Sequence, residues 1–189
     1  MNQKPLDNIQ KIIVHSTQHL NTIVLNRPEK RNALDAEMRR KLISLLKSKE
    51  FEDKDCLITG IGPCFCAGLD LNEEIDEDVI REFEELLQTI SAFGRLKVFV
   101  DGIAKGGGAI LAASGIELNA TAKSVFAMPN PARIDNEYIK NALIFYASKL
   151  DFIGQIMQSE SLKLNAGKAM QLGFVNIISE KEIPIINQD

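Results

Sequence analysis

The sequence predicts an α/β protein, and three observations carry that expectation. Short apolar runs rich in β-forming residues alternate with segments whose apolar residues recur every three to four positions. Two of the runs, Cys56 to Thr59 and Val98 to Val100, lead into glycine-rich turns. Strands that end in such turns and hand over to helices are the pattern of α/β architecture. The 189 residues, 45% hydrophobic, suffice for one core, so a single domain over 1–189 is expected.

The elements follow in order. Ile9 to Val14 and Thr22 to Leu25 read as a hairpin around the polar stretch Ser16 to Asn21, and Arg27-Pro28 ends the second strand. Leu34, Met38, Leu42, Leu45 and Leu46 mark an amphipathic helix ending near Ser48, with Asn32 expected as its N-cap. Cys56 to Thr59 is a buried strand, and a glycine-rich loop follows it as far as Gly68. After an acidic linker, Asn72 to Asp78, the spacing of Val79, Ile80, Phe83, Leu86, Leu87, Ile90 and Phe93 predicts a helix that Gly94 stops. Val98 to Val100 is the next strand. Gly106 to Gly108 then open a helix through Ala113. Strands are expected at Ile116 to Ala120 and Ser124 to Ala127, helices at Asn136 to Lys149 and Asn165 to Leu172, and a closing strand at Phe174 to Ile178.

Composition narrows the function classes. With 22 Lys plus Arg against 26 Asp plus Glu, the net charge of −4 offers no general attraction to nucleic acid. The residues Met1 to Asn8 lack the apolar stretch of an export signal, and no run is long enough for a membrane span. Three cysteines, Cys56, Cys64 and Cys66, do not make a disulfide framework, so a cytoplasmic protein is expected. Cys64 and Cys66 have no further ligands arranged nearby, so no metal site is expected. Gly60-x-Gly62 is not completed by a third glycine, and the triple glycine lacks the Lys-Ser/Thr of a phosphate loop. The histidines, His15 and His19, fall in or beside the first hairpin, which disfavours a Ser-His triad.

The two glycine turns, Cys56 to Gly68 and Val98 to Gly108, share a design that leaves backbone N–H groups without helical partners. Side by side, one N–H from each would grip an oxygen that becomes negative during a reaction. The alternative is that the glycines only let helices pack close to strands.

In order and spacing, three segments resemble the enoyl-CoA hydratase/isomerase (crotonase) family: Asn26 to Leu34 (NRPEKRNAL), Leu57 to Leu71 (LITGIGPCFCAGLDL) and Asp101 to Gly108 (DGIAKGGG). Asn165 to Asn176 is similar to the family's last helix-to-strand segment, and the likeness runs roughly from Ile12 to Ile178. The resemblance implies a crotonase-like spiral of ββα units (the ClpP/crotonase fold), acyl-CoA substrates whose coenzyme A moiety is the only cofactor-like group, and a homo-trimer or dimer of trimers. It implies an oxyanion hole built by the N–H groups of Ala67 and Gly107, and a substrate or CoA surface including Arg27, Lys30, Arg31, Ala33, Phe65, Gly68, Leu69, Asp70 and Asn130. Arg27, Lys30 and Arg31 would put cations where phosphates pass.

The sequence departs from the family where hydratases carry two glutamates, since those positions read Ile110 and Asn130. Neither side chain can exchange a proton near neutral pH. Asp135 and Glu137, with Tyr138, lie just beyond and are candidate replacements; the alternative is that Asp135 or Asn136 caps a helix and Glu137 sits in its first turn. The segment Pro131 to Lys163 is compressed, and the chain ends at Asp189 where family members continue, so a short member without the C-terminal helices is expected. Two readings stay open: an enzyme of the hydratase/isomerase kind acting through an enolate, or a non-catalytic acyl-CoA-binding or assembly module. Another reaction on the same hole, thioester hydrolysis or decarboxylation, is the third.

Overall fold

The computed structural model describes residues 10–127, 137, 140–141 and 163–180. After an opening hairpin whose strands share one sheet, the chain from Asp55 to Ala113 twice delivers two strands and then a helix, the two strands entering different sheets. The first sheet has the order β1-β2-β3-β5-β7-β10, from Ile12–Ser16, Leu20–Leu25, Asp55–Gly60, Leu96–Val100, Glu117–Thr121 and Ile177–Ser179. The second has the order β4-β6-β8-β9, from Cys64–Cys66, Ile103–Lys105, Val125–Ala127 and Lys163–Asn165. Only the pairs β1 with β2 and β8 with β9 are antiparallel among the described strands. The units β3-β4-α3 and β5-β6-α4, with α3 at Glu77–Phe93 and α4 at Gly107–Ala113, are successive turns of the expected ββα spiral.

Parallel strands of the first sheet are buried on both faces, which explains their continuous apolar runs: Ile58, Val98 and Val100 are fully buried. Helix α3 buries Ile80, Phe83, Leu86, Leu87 and Ile90 along one stripe; Asp76 caps it by accepting from the Val79 N–H at 2.9 Å, and Gly94 ends it at φ 74°. Each such side chain contributes about 2 kcal/mol by leaving water.

Several boundaries differ from expectation for identifiable reasons. Asn32 does not cap α1 (Ala36–Leu46); Asp35 does, accepting from the Met38 N–H at 3.0 Å. Asn32 is instead fully buried in a left-handed conformation, φ 52°. A short helix α2, Lys49–Glu52, follows α1 and buries Phe51. The strands β4, β6 and β9 have three residues each, too short for an alternation to be read. The last strand starts at Ile177 rather than Phe174, because Asn176 exchanges hydrogen bonds with Leu118 while Phe174 turns inward and meets the Phe126 ring edge-on at 5.0 Å. Helix α5, Ala166–Gln171, is capped by Asn165 as the sequence implies. Of the helix expected at Asn136 to Lys149, Glu137, Lys140 and Asn141 are helical and the rest lies outside the described residues. No described helix is long and apolar enough to cross a membrane.

Candidate active site at two abutting glycine turns

Because β3 and β5 are parallel neighbours, the segments leaving them, Ile61 to Asp70 and Asp101 to Gly108, run side by side. Contact is close at their ends. A Cβ on Gly68 would lie 2.9 Å from the Gly107 nitrogen and 3.2 Å from the Lys105 oxygen, and Gly68 has φ +98°, so only glycine fits. Gly106, with φ 56° and ψ −126°, delivers the chain into α4, whose first N–H belongs to Gly107. At this position a helix has no internal acceptor to offer.

The turn entering from β4 distributes its donors unevenly. The Ala67 N–H donates to the Arg31 carbonyl at 3.0 Å, and the Gly68 N–H lies against the Cys66 Sγ at 3.4 Å. The Asp70 N–H donates to the Leu34 carbonyl at 3.2 Å. No described hydrogen bond engages the N–H of Leu69 or of Gly107. The expectation that Ala67 is a donor to substrate is therefore corrected: its N–H is spent inside the protein, and the N–H of this turn that no described bond engages belongs to Leu69. Sequence cannot distinguish the two, since alternation along a turn depends on which carbonyl the neighbouring segment binds.

The segment that binds it is Arg27 to Asp35. Asn32 accepts from the Arg27 N–H at 2.7 Å and donates to the carbonyls of Ile61 and Cys64 at 2.9 and 2.8 Å, fastening this segment to the loop before β4. Arg27 Nη1 donates to the Ala33 carbonyl at 3.1 Å and to Asp70 Oδ2 at 2.5 Å, with Asp35 Oδ2 at 3.5 Å. Arg27 and Asp70 thus face each other, where the resemblance had both facing CoA. Lys30 and Arg31 are exposed. Phe65 is fully buried in the core, which removes its side chain from any ligand surface, and Ala33 is buried with its carbonyl held by Arg27. Arg39, which nothing in the sequence pattern singled out, is 1% exposed and ties Leu34 O, Glu73 and Glu82 together, joining α1 to α3 beneath the turn.

Ile110 is buried in the apolar core on α4. Asn130 and Asp135 lie outside the described residues. Glu137 is exposed and pairs with Lys140 at 3.0 Å. Burial pushes the thiols of Cys56 and Cys66 up to about 12, and raises Cys64, so all stay protonated near neutral pH and are poor nucleophiles. A surface groove of about 530 Å³ between α1–α2 and α3, lined by Lys47, Glu52, Glu85 and Gln88 among others, does not include either glycine turn.

The carboxylates of this scaffold are held ionised. Burial opposes ionisation of Asp70, but bonds from the Asn72 N–H and Arg27 outweigh it and keep its carboxyl below the usual range. Asp35, bonded by Lys11 and the Met38 N–H, and Glu82, bonded by Arg40 and Arg39, are likewise lowered against the opposing effect of burial. A carboxyl with a folded pKa below its unfolded value, about 3.9 for Asp and 4.3 for Glu, stabilises the fold fully above the unfolded value. That stabilisation is lost as pH falls through the folded one. We expect the urea midpoint to hold from pH 7 to about 5 and to fall steeply below about 4; a midpoint unchanged down to pH 3 would contradict this ion network.

Comparison with known proteins places this scaffold. The chain is 32% identical over 130 residues to the 1,2-epoxyphenylacetyl-CoA isomerase of Escherichia coli, covering 62% of this chain and 50% of that one. It is 36% identical over 121 residues to the mitochondrial 3-hydroxyisobutyryl-CoA hydrolase of Mus musculus, covering 57% and 31%. The chain therefore spans half or less of the length of these relatives. Its fold matches the crystal structure of an enoyl-CoA hydratase/isomerase from Marinobacter aquaeolei with a TM-score of 0.73 at 22% identity, over 90% of this chain and 71% of that one. The family profile for enoyl-CoA hydratase/isomerase covers residues 20–134, from β2 through both glycine turns, and the chain belongs to that family.

Proposed function

We propose that the chain binds acyl-CoA thioesters with the thioester carbonyl oxygen between the N–H groups of Leu69 and Gly107, where it is stabilised as it becomes an enolate. The observation that carries this reading is the abutment of Gly68 on Gly107 between two N–H groups that no described bond engages. The Gly107 donor adds the positive end of a short helix, and the surrounding cations Lys30, Arg31 and Lys105 are exposed for an anionic cofactor moiety. Both relatives named above carry CoA thioesters in their names, one as an isomerase and one as a hydrolase, so the shared element is the ester and not one reaction.

Acetoacetyl-CoA is the direct probe, because its enolate absorbs where the keto form does not. Saturating protein should raise the enolate band at neutral pH, while CoA alone binds without it. Absence of both binding and band at millimolar ligand would overturn the proposal.

Water addition is a different matter. Ile110 occupies the position where the family's hydratases carry a glutamate, and it lies in the core with no proton to give. A positioned acid or base is worth roughly a hundredfold to ten-thousandfold. We expect crotonyl-CoA to bind and to keep its conjugated-thioester absorbance over hours; rapid loss of that absorbance would show that a group other than Ile110, such as Asp135 or Glu137, moves the proton.

A further inference from the structure

We propose that Arg27 is a positioning residue: it locks the Arg31–Asp35 segment against the Gly68–Asp70 turn and thereby aims the Leu69 N–H, and it does not hold a phosphate. This rests on the acyl-CoA reading above. The peptide joining Gly68 to Leu69 is planar and trans, so its carbonyl and its N–H point in opposite directions. The Gly68 carbonyl accepts from the Leu34 N–H at 2.8 Å. Whatever holds Leu34 in place therefore sets where the Leu69 N–H points, namely away from the Leu34 segment.

Arg27 is the group that spans both sides of that bond. Its Nη1 reaches the Ala33 carbonyl, one residue before Leu34, and the Asp70 carboxylate, one residue after Leu69. Asp70 Oδ1 in turn accepts from the N–H of Asn72 at 3.0 Å and its side-chain amide at 2.7 Å, so the chain leaving the turn is fixed as well. A planar guanidinium can serve two acceptors at fixed angles in a way that an ammonium cannot.

The same surroundings argue against an anion. Arg27 Nη1 sits between two carboxylates, Asp70 at 2.5 Å and Asp35 at 3.5 Å, and Lys11 balances Asp35 at 2.8 Å. The guanidinium charge is already neutralised, and its side chain is 15% exposed. A phosphate would have to compete for it with two carboxylates already in place. Lys30 and Arg31 on the exposed face are better placed for that task.

The experiment compares wild-type protein with Arg27→Lys and with the double variant Arg27→Met, Asp70→Asn, each titrated with CoA and with acetoacetyl-CoA. The double variant removes the pair without leaving a buried charge alone, and Arg27→Lys keeps Asp70 paired and keeps the question answerable if the double variant does not fold. CoA affinity should stay within about threefold in all three, since the CoA contacts lie elsewhere. Affinity for the enolate and the intensity of its band should fall by about tenfold to a hundredfold in the double variant, the scale of a misplaced catalytic group, with a smaller fall in Arg27→Lys. Parallel loss of CoA affinity, restored by lysine, would assign Arg27 to a phosphate and overturn the proposal. An enolate band unchanged in folded variants would overturn it too, and leave the acyl-CoA reading standing. A wild-type protein that binds CoA but gives no band would overturn the oxyanion reading and this inference with it.

Discussion

Replacing Gly108 by alanine is expected to cost at least about 3 kcal/mol of folding stability, the upper end of what overpacking does. An added Cβ would lie 2.1 Å from the Cys66 carbonyl oxygen and 2.6 Å from its carbon, both backbone atoms of β4, and Cys66 is fully buried. Nothing there is the loose end of a side chain, so relief requires α4 to move off the sheet. For a chain of 189 residues the melting temperature should fall by about 6–12 °C. Gly167→Ala is the control. Its Cβ would meet only Asn165 Oδ1, at 3.6 Å, so this change within α5 should be neutral or stabilise by up to about 1 kcal/mol through the unfolded chain. Equal melting temperatures for the two variants would show that α4 does not pack on Cys66 as described.

The glycine triplet thus divides its duties, and the close-packing explanation weighed from sequence holds at one of its three positions. Gly108 is the close-packing glycine. Gly106 is the conformational one, at φ 56°. Gly107 sits between them with an N–H that no described bond engages, and an added Cβ there would lie 3.0 Å from the Phe83 ring edge and 3.4 Å from the Gly68 Cα. Packing of Gly108 on β4 is what brings the Gly107 N–H to the turn that starts at Ala67, so the apolar contact and the donor are parts of one arrangement.

The alternation of strand and helix was legible because the first sheet is buried on both faces and α3 carries an unbroken apolar stripe, both strong periodic signals. Of the second sheet β8 was legible, but β4 and β6 were not, since Cys64–Cys66 and Ile103–Lys105 are three residues long and pair with an irregularity between Cys64 and Cys66. Asn32 read as a helix cap because it precedes an apolar stripe; its burial and left-handed backbone come from long-range bonds to Ile61 and Cys64, which no local pattern carries. Arg39 falls within the polar positions of α1 and no local pattern marks it, yet Glu73 and Glu82, distant in sequence, enclose it. The neighbouring glycine turns were legible, but not which of their N–H groups the fold leaves unengaged. The residues of the turn were identified, but the choice between Ala67 and Leu69 is made by the Arg31 and Leu34 backbone, which lies beside the turn only after folding.

Gly107→Pro should lower affinity for the acetoacetyl-CoA enolate, or turnover of any productive thioester, by on the order of a hundredfold or more, the typical effect of losing one oxyanion donor. Gly107 is the first residue of α4, where proline is tolerated because the missing N–H has no helical acceptor. Gly106, with ψ −126°, already lies outside the α region that a following proline disfavours. The Phe83 ring edge, 3.0 Å from a Cβ at this position, needs to shift by a few tenths of an ångström, which a side-chain terminus does at small cost. The variant therefore removes a donor and little else, and its melting temperature should stay close to that of the wild type. Gly107→Ala separates the two effects, since it adds the same methyl contact to Phe83 but keeps the N–H; it should retain most of the enolate band. CoA itself, which has no thioester oxygen, should bind all three proteins alike. If Gly107→Pro folds and its enolate band equals that of the wild type, the oxygen is held by other groups and the paired donors at Leu69 and Gly107 are not the site.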